Sequence, residues 1–157
     1  MRIFLVLIGL LGFVHAAQAE TCYTKREAEA EQGIRIHSEL MVIGLNCSHM
    51  STANGKNLYA EHRKFTADHN KLLATYEKIL MAYLTRTGVA QAEKKLHEIR
   101  TNFANKISKD AAVMRPDKFC RTYAPRIEVV TKMNETQFRQ WAATPFKEYP
   151  VSKPLCP

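Results

Sequence analysis

Two histidines at helical spacing are the first candidates for chemistry in this sequence. His62 and His69 are seven residues apart, so on a helix they lie on one face, about two turns or roughly 10 Å apart. Imidazoles that point into a helical bundle can bind haem or a metal ion, and His37 and the thioether of Met41 are candidate further ligands that favour copper or haem iron. The other interpretation is that these imidazoles are partly exposed or hydrogen-bond to side chains such as Tyr76. The spacing makes haem or copper binding a hypothesis and leaves a structural role open.

The four cysteines, Cys22, Cys47, Cys120 and Cys156, are the second candidates. An even number of cysteines in an exported chain favours two disulfides. A zinc site is the competing interpretation, but no two of these cysteines have CxxC-type spacing. There is no CxxCH motif for c-type haem either. We therefore expect two disulfides and no free thiol to act as a nucleophile.

Motifs for enzymatic chemistry are absent from the sequence. It contains no GxSxG, HExxH or GxGxxG motif and no phosphate-binding loop. Seven-residue periodicity explains the positions of His62 and His69 without catalysis. We therefore expect a protein that is not an enzyme.

The positive charge is the other indication of function. The chain has 23 Lys and Arg against 15 Asp and Glu, a formal net charge of +8. Such a surface attracts anions such as phospholipid head groups, anionic envelope polymers or an acidic protein, whereas nucleic acid is not expected without a recognisable binding motif. The alternative is a solvated surface that only keeps the protein soluble. The candidate binding residues lie on the outward faces of the predicted second and third helices: Arg63, Lys64, Lys71, Lys94, Lys95, Arg100 and Lys106.

Residues 1–19 have the pattern of a secretory signal peptide. Arg2 precedes an apolar run over residues 3–14, and Ala17-Gln18-Ala19 is a small-x-small cleavage site. The run is too short to span a membrane, and no later stretch approaches the roughly 20 apolar residues that a span needs. We therefore expect a periplasmic or secreted protein without a membrane span.

Capping signals and apolar spacing predict the first two helices. Thr24 and Glu27 form a capping box at the start of the first, which covers residues 24–46. It should be the most buried helix, because residues 40–45 are apolar nearly all round. The second covers residues 56–87, where a stripe recurs at spacings of four and three: Leu58, His62, Phe65, His69, Leu72, Tyr76, Ile79 and Tyr83.

The second half of the chain continues the helical pattern. Gly88 is a C-cap for the second helix, and the third follows at once over residues 89–109, so that the two form an antiparallel hairpin. Asp117 is the expected N-cap of a fourth helix, in which Pro125 should cause a kink or a split.

The C-terminal part is predicted to contain a short helix followed by an extended tail. Asn134 is the N-cap of a further short helix, and four prolines in residues 144–157 predict an extended tail. The mature chain is therefore divided into a helical domain, residues 20–143, and a tail tied back by Cys156.

The predicted fold is all-α, an up-down-up-down four-helix bundle with a short extra helix and a proline-rich tail. Sequence alone permits three disulfide pairings. In the up-down topology, the end of helix one meets the start of helix four, and the tail returns to the start of helix one. We therefore expect the pairs Cys47–Cys120 and Cys22–Cys156.

Residues 27–47 carry a resemblance to other proteins. The segment Glu27 to Met41, EAEAEQGIRIHSELM, continuing to Cys47, resembles the N-terminal segment of small exported helical proteins of unassigned function in Gram-negative bacteria. The resemblance covers about one helix. It implies a periplasmic location and brings no activity with it.

These observations lead to one functional expectation and one alternative. We expect a non-catalytic periplasmic or secreted binding or adaptor protein, a monomer or a homodimer, whose partner is an unknown protein or an anionic envelope component. The alternative is a haem- or copper-binding bundle that uses His62 or His69 together with His37 or Met41.

Overall fold

The computed structural model describes residues 21–157, which form helices and no strands. The predicted signal peptide, residues 1–19, lies outside the described residues. The all-α prediction is confirmed for the described residues. Their helices, in chain order, are α1 (Lys25–Asn46), α2 (Leu58–Asp68), α3 (Asn70–Arg86), α4 (Ala92–Val113), α5 (Pro116–Tyr123), α6 (Pro125–Val130) and α7 (Glu135–Ala143).

α1 is the central helix, and each of the other six helices contacts it. Its N-terminus has the predicted capping box: the Thr24 hydroxyl accepts from the Glu27 N–H at 3.2 Å, and the Glu27 carboxylate accepts from the Thr24 N–H at 2.7 Å. α1 buries more of its residues than any other described helix, as predicted. Polar side chains are buried beside its apolar ones: Glu27, Glu31, Gln32, Arg35, Ser38 and Glu39.

The predicted second helix is two helices, so the expectation of one continuous helix over residues 56–87 was wrong. The backbone at His69, with φ −109° and ψ 14°, ends α2 and begins α3. Phe138 of α7 packs at this break, with its ring centroid 5.1 Å from that of Phe65 and 5.4 Å from that of His69. The periodicity identified the buried face, but this contact with a distant helix has no signal in local spacing.

The fourth predicted helix is also divided. α5 ends at Tyr123 and α6 begins at Pro125, so the helix is split at the proline, one of the two outcomes expected of a proline inside a helix. The prediction of Asp117 as N-cap was wrong by two residues, because Arg115 is the N-cap and Pro116 is the first helical residue. Proline is favoured there because the first helical N–H has no intrahelical partner. The third helix begins at Ala92 instead of residue 89 and extends to Val113.

The C-terminal segment matches its prediction closely. Asn134 caps α7 through a capping box with Gln137, and residues 144–157 contain no helix. The tail runs beside the start of α1, where the Tyr23 N–H donates to the Pro154 carbonyl and the Cys156 N–H donates to the Tyr23 carbonyl, both at 2.8 Å. Both predicted disulfides, Cys22–Cys156 and Cys47–Cys120, are confirmed.

The up-down-up-down bundle stays a prediction, because α1 is surrounded by six other helices instead of sharing a core equally with three. No helix within residues 21–157 has both the length and the apolar character that crossing a membrane requires.

Candidate functional site

His37 of α1 and His62 of α2, two of the predicted ligands, meet in the core. Their rings are stacked, with centroids 5.5 Å apart and planes inclined by 25°. The Thr66 hydroxyl donates to the His62 carbonyl at 3.0 Å, so its oxygen accepts from His37 Nε2, which is 3.1 Å away. Neither ring nitrogen of His62 has a hydrogen-bond partner among the described residues.

Desolvation favours the neutral form of both imidazoles. Burial lowers the pKa of His37 to about 4, with smaller contributions from the charges of His62 and Arg100. Burial also lowers the pKa of His62. Neutral imidazole is the form that binds metals, but the lone pairs of two stacked rings lie in nearly parallel planes and do not converge on one point.

The other predicted ligands are not grouped with this pair. His69 packs between Phe65 and Phe138, and its Nδ1 lies 3.0 Å from the Phe65 carbonyl oxygen. Met41 is 38% exposed. Within residues 21–157, no three His, Cys, Asp or Glu side chains are placed to hold a metal ion together. The structure therefore brings together His37 and His62 and leaves His69 in an aromatic cluster.

The seven predicted basic residues have different surroundings. Lys106 lies over the Tyr149 ring, 4.5 Å from its centroid, and Lys71 lines a cavity of about 320 Å³. Arg63 and Lys94 are exposed. The charges of the other three are balanced by acidic neighbours in the pairs Lys64–Asp68, Lys95–Glu98 and Arg100–Glu77.

A larger groove, which the sequence analysis did not predict, lies between α1, the end of α7 and the tail. Its volume is about 660 Å³, which is within the range of small-molecule sites. Lys25, Arg26, Glu29 and Gln32 of α1 provide its polar side, together with Thr144 and Lys147. The rest of the lining is apolar: Ala28, Ala142, Ala143, Pro145, Phe146, Pro150, Val151 and Leu155.

Buried polar residues of α1 hold the tail in place and so form the groove. The Glu31 carboxylate accepts from the Tyr23 hydroxyl at 2.7 Å and from the Ser152 N–H at 2.7 Å. Gln32 Nε2 donates to the Tyr149 carbonyl at 2.8 Å. These bonds explain why a central helix carries polar side chains: the tail supplies their partners.

Gln32 leaves one polar atom without a partner. The side chain is 4% exposed, and its Oε1 is buried with no hydrogen-bond donor in the described part of the chain. A buried acceptor without a donor costs roughly 1–3 kcal/mol. Although Gln32 lines the groove, Oε1 itself is enclosed by protein, so a molecule in the groove does not reach it.

The rim of the groove is positively charged. Lys25, Arg26 and Lys147 are exposed and have no ion-pair partner among residues 21–157. Glu29 is the one acid among the lining residues. Its carboxylate is paired with Arg139 at 2.8 Å and accepts from the Tyr76 hydroxyl at 2.8 Å. The groove therefore combines an apolar interior with an uncompensated positive rim.

Comparison with protein-family models, with curated proteins and with solved structures found no match. The groove must therefore be interpreted from its own chemistry.

Proposed function

We propose that this protein is a non-catalytic exported binding protein that holds the apolar chain of a small amphiphilic lipid in the groove between α1, α7 and the tail. The observation that carries the proposal is the groove itself, whose interior of about 660 Å³ is lined mostly by apolar side chains and has three basic residues at its rim. Burying apolar surface favours binding by roughly 25 cal/mol per Å², and the basic residues at the rim attract an anionic head group.

The lining residues favour binding over catalysis. The carboxylate of Glu29 is engaged by Arg139 and Tyr76, so it is not free to act as a general base. His37 and His62 do not line the groove. The two disulfides favour an oxidising compartment such as the periplasm or the extracellular space.

The bundle arrangement belongs to this proposal. One residue, His69, separates α2 from α3, and one residue, Ala124, separates α5 from α6. With each pair counted as one interrupted helix, α1, α2–α3, α4 and α5–α6 form the four helices of an up-down bundle, to which α7 and the tail add the groove. The domain boundary at residue 143 then coincides with the end of α7.

Haem or copper binding is the weaker alternative. It would use the unpartnered nitrogens of His62 with His37, after the two rings have turned out of their stack. An absorbance spectrum and a mass measurement of the purified protein test it directly. A Soret or copper band with the matching excess mass would favour this alternative over the lipid proposal.

The test of the lipid proposal is binding of a neutral apolar dye, N-phenyl-1-naphthylamine, followed by its fluorescence. We expect one site, and at least about tenfold weaker binding in Ala143→Trp, whose indole would occupy the groove. Ala74→Trp is the matched control, because Ala74 is also exposed in a helix but does not line the groove. No dye binding, or equal binding by both variants, would contradict the proposal.

A further inference from the structure

A second cavity lies beside the groove, and it is charged where the groove is apolar. Its volume is about 320 Å³, and residues of α1, α3 and α7 line it. Arg26 and Glu29 of α1 line both the cavity and the groove, so the two spaces adjoin along the first two turns of this helix. A ligand whose apolar chain lies in the groove can therefore place its head group in the cavity.

α7 borders both spaces as well. Glu135 at its start and Arg139 in its middle line the cavity, whereas Ala142 and Ala143 at its end line the groove. Glu135 and Ala143 are about 12 Å apart along the helix axis. A molecule that lies along α7 therefore passes from the apolar groove into the charged cavity.

The cavity contains unpaired groups of both signs. Two of its charged residues, Arg139 and Glu29, are paired with each other at 2.8 Å. Arg26, Lys71 and Glu135 are exposed, and none of them forms an ion pair within residues 21–157. Two cations and one carboxylate thus line one cavity without contacting each other, so a ligand that carries both an anion and a cation can join them.

The positions of Arg26 and Glu135 set the order of the ligand's charges. Arg26 lines both spaces, whereas Glu135 lines the cavity and not the groove. The anion should therefore lie next to the apolar chain, at Arg26, and the cation further from it, at Glu135. A phosphoethanolamine head group has this order, because its phosphate joins the lipid and its ammonium group is terminal.

We propose that the ligand is a single-chain phospholipid with a zwitterionic head group, of the lysophosphatidylethanolamine class, an inference that rests on the proposed function. Its acyl chain lies in the groove, its phosphate lies at Arg26, and its ammonium group donates to the Glu135 carboxylate. Arginine suits a phosphate because its planar guanidinium donates two parallel hydrogen bonds. A primary ammonium group has three N–H donors for the carboxylate.

The experiment compares three ligands with the same dodecanoyl chain and glycerol linker, in competition with the neutral dye and below their aggregation concentrations. Lysophosphatidylethanolamine has the phosphate and the ammonium group, lysophosphatidylglycerol has only the phosphate, and monododecanoylglycerol has neither. We expect lysophosphatidylethanolamine to bind about fivefold more tightly than lysophosphatidylglycerol, near the upper limit for one exposed ion pair. Selection by the positive rim alone predicts the opposite order, because lysophosphatidylglycerol has a net negative charge.

Two variants assign the two interactions to their residues. Glu135→Gln should remove the preference for lysophosphatidylethanolamine over lysophosphatidylglycerol. Arg26→Gln should weaken binding of both phospholipids about fivefold relative to monododecanoylglycerol.

The matched controls are Glu93→Gln and Lys78→Gln. Glu93 is an exposed acid in the first turn of α4, as Glu135 is in α7, and Lys78 is an exposed cation of α3. Neither residue lines the cavity or the groove. Both variants should bind all three ligands as the wild type does.

The outcomes separate this inference from the proposed function. If the dye binds and lysophosphatidylglycerol competes at least as well as lysophosphatidylethanolamine, the groove function stands and the head-group inference is wrong. If Glu135→Gln keeps the preference for lysophosphatidylethanolamine, the proposed position of the ammonium group is overturned. If neither the dye nor any ligand binds, the proposed function fails as well. The wild-type comparison decides the inference even if a variant changes the stability of α7.

Discussion

Buried polar side chains in this protein fall into two groups. Those with partners fix structure: Glu31 holds the tail through Tyr23 and Ser152. Within residues 21–157, the buried side-chain atoms without partners are Gln32 Oε1 and the two ring nitrogens of His62. An unpartnered group in the described core lowers stability, so each calls for a functional or compensating explanation. The Gln32 amide still holds the tail through Nε2, whereas His62 is stacked on His37.

The buried His37 makes stability depend on pH. Its pKa in the folded protein, about 4, is below the ordinary value of 6.5, so the unfolded chain binds more protons between these two pH values. Above about pH 6.5, His37 does not lower the free energy of unfolding, which then decreases as the pH falls toward 4. By pH 5, protonation of His37 in the unfolded chain should have lowered the free energy of unfolding by about 2 kcal/mol. Urea unfolding from pH 7.5 to 5 measures this effect before most carboxylates titrate.

The control for this prediction is His37→Gln, whose amide can still donate to Thr66 but does not titrate. Its stability should decline less steeply over the same pH range than that of the wild type. The lowered pKa of His62, also due to burial, contributes in the same direction and remains in the variant. Equal pH dependence of the two proteins would show that His37 does not contribute.

Gly33 is required by the close approach of α1 and α3. A Cβ at this position would lie 2.3 Å from Cε2 of the Tyr76 ring, and the Tyr76 hydroxyl is held by Glu29. Gly33→Ala should therefore cost about 1–3 kcal/mol of unfolding free energy, as overpacking does. Gly44→Ala should cost less, because its nearest neighbour, His62 Cβ, is 3.3 Å away.

Thermal unfolding of both glycine variants and of Gly33→Ala in a Tyr76→Leu background measures this difference. The smaller leucine should recover part of the loss. A Gly33→Ala protein as stable as the wild type would contradict the contact on which the prediction rests.

Helix boundaries were predictable where the signals are local. Thr24 with Glu27, and Asn134 as an N-cap, are encoded within four residues, and both caps form. The break at His69 was not predictable, because Phe138 of α7 packs there from 69 residues away in the sequence. The groove was not predictable either, because its walls come from two segments far apart in the sequence, residues 25–32 and 142–155. Neither segment contains a pattern that indicates contact with the other.

The disulfide pairs were predictable from helix order alone, and the elements that they join give them different roles. Cys22–Cys156 holds the tail against the start of α1, and Cys47–Cys120 joins the end of α1 to α5. Their sequence separations are 134 and 73 residues. The chain-entropy model therefore assigns them similar stabilisation, about 5 and about 4 kcal/mol.

The two disulfides should nevertheless differ in their effect on binding. In Cys22→Ser/Cys156→Ser the end of the tail, including Leu155 of the groove wall, loses its covalent anchor and is held only by hydrogen bonds such as those of Tyr23. We therefore expect dye binding to weaken while the helices remain folded. Cys47→Ser/Cys120→Ser should be less stable but should keep the groove. Circular dichroism verifies the fold at the temperature of the binding assay. Equal loss of binding in both variants would mean that the tail does not form the site.

The positive charges of the molecule as a whole occupy two kinds of environment. Arg63, Lys71 and Lys94 are exposed on separate helices, as the predicted basic surface requires. Lys25, Arg26 and Lys147 instead surround an apolar groove. The first arrangement suits weak attraction to an extended anionic surface, whereas the second suits one anionic group on an apolar chain, and the two respond differently to salt.

Raising the salt concentration from 50 to 500 mM NaCl therefore distinguishes the two modes. Exposed charges are screened over about 10 Å at 0.1 M salt, so adsorption to vesicles rich in anionic phospholipid should be largely lost. Neutral dye binding in the groove should be unchanged, and binding of dodecanoic acid should weaken only a few-fold, since burial of the chain supplies most of its free energy. The triple variant Arg63→Gln/Lys71→Gln/Lys94→Gln should bind dodecanoic acid as the wild type does. If it instead loses both vesicle and dodecanoic acid binding, the basic helical surface is the functional site, and the groove is only the contact between the tail and α1.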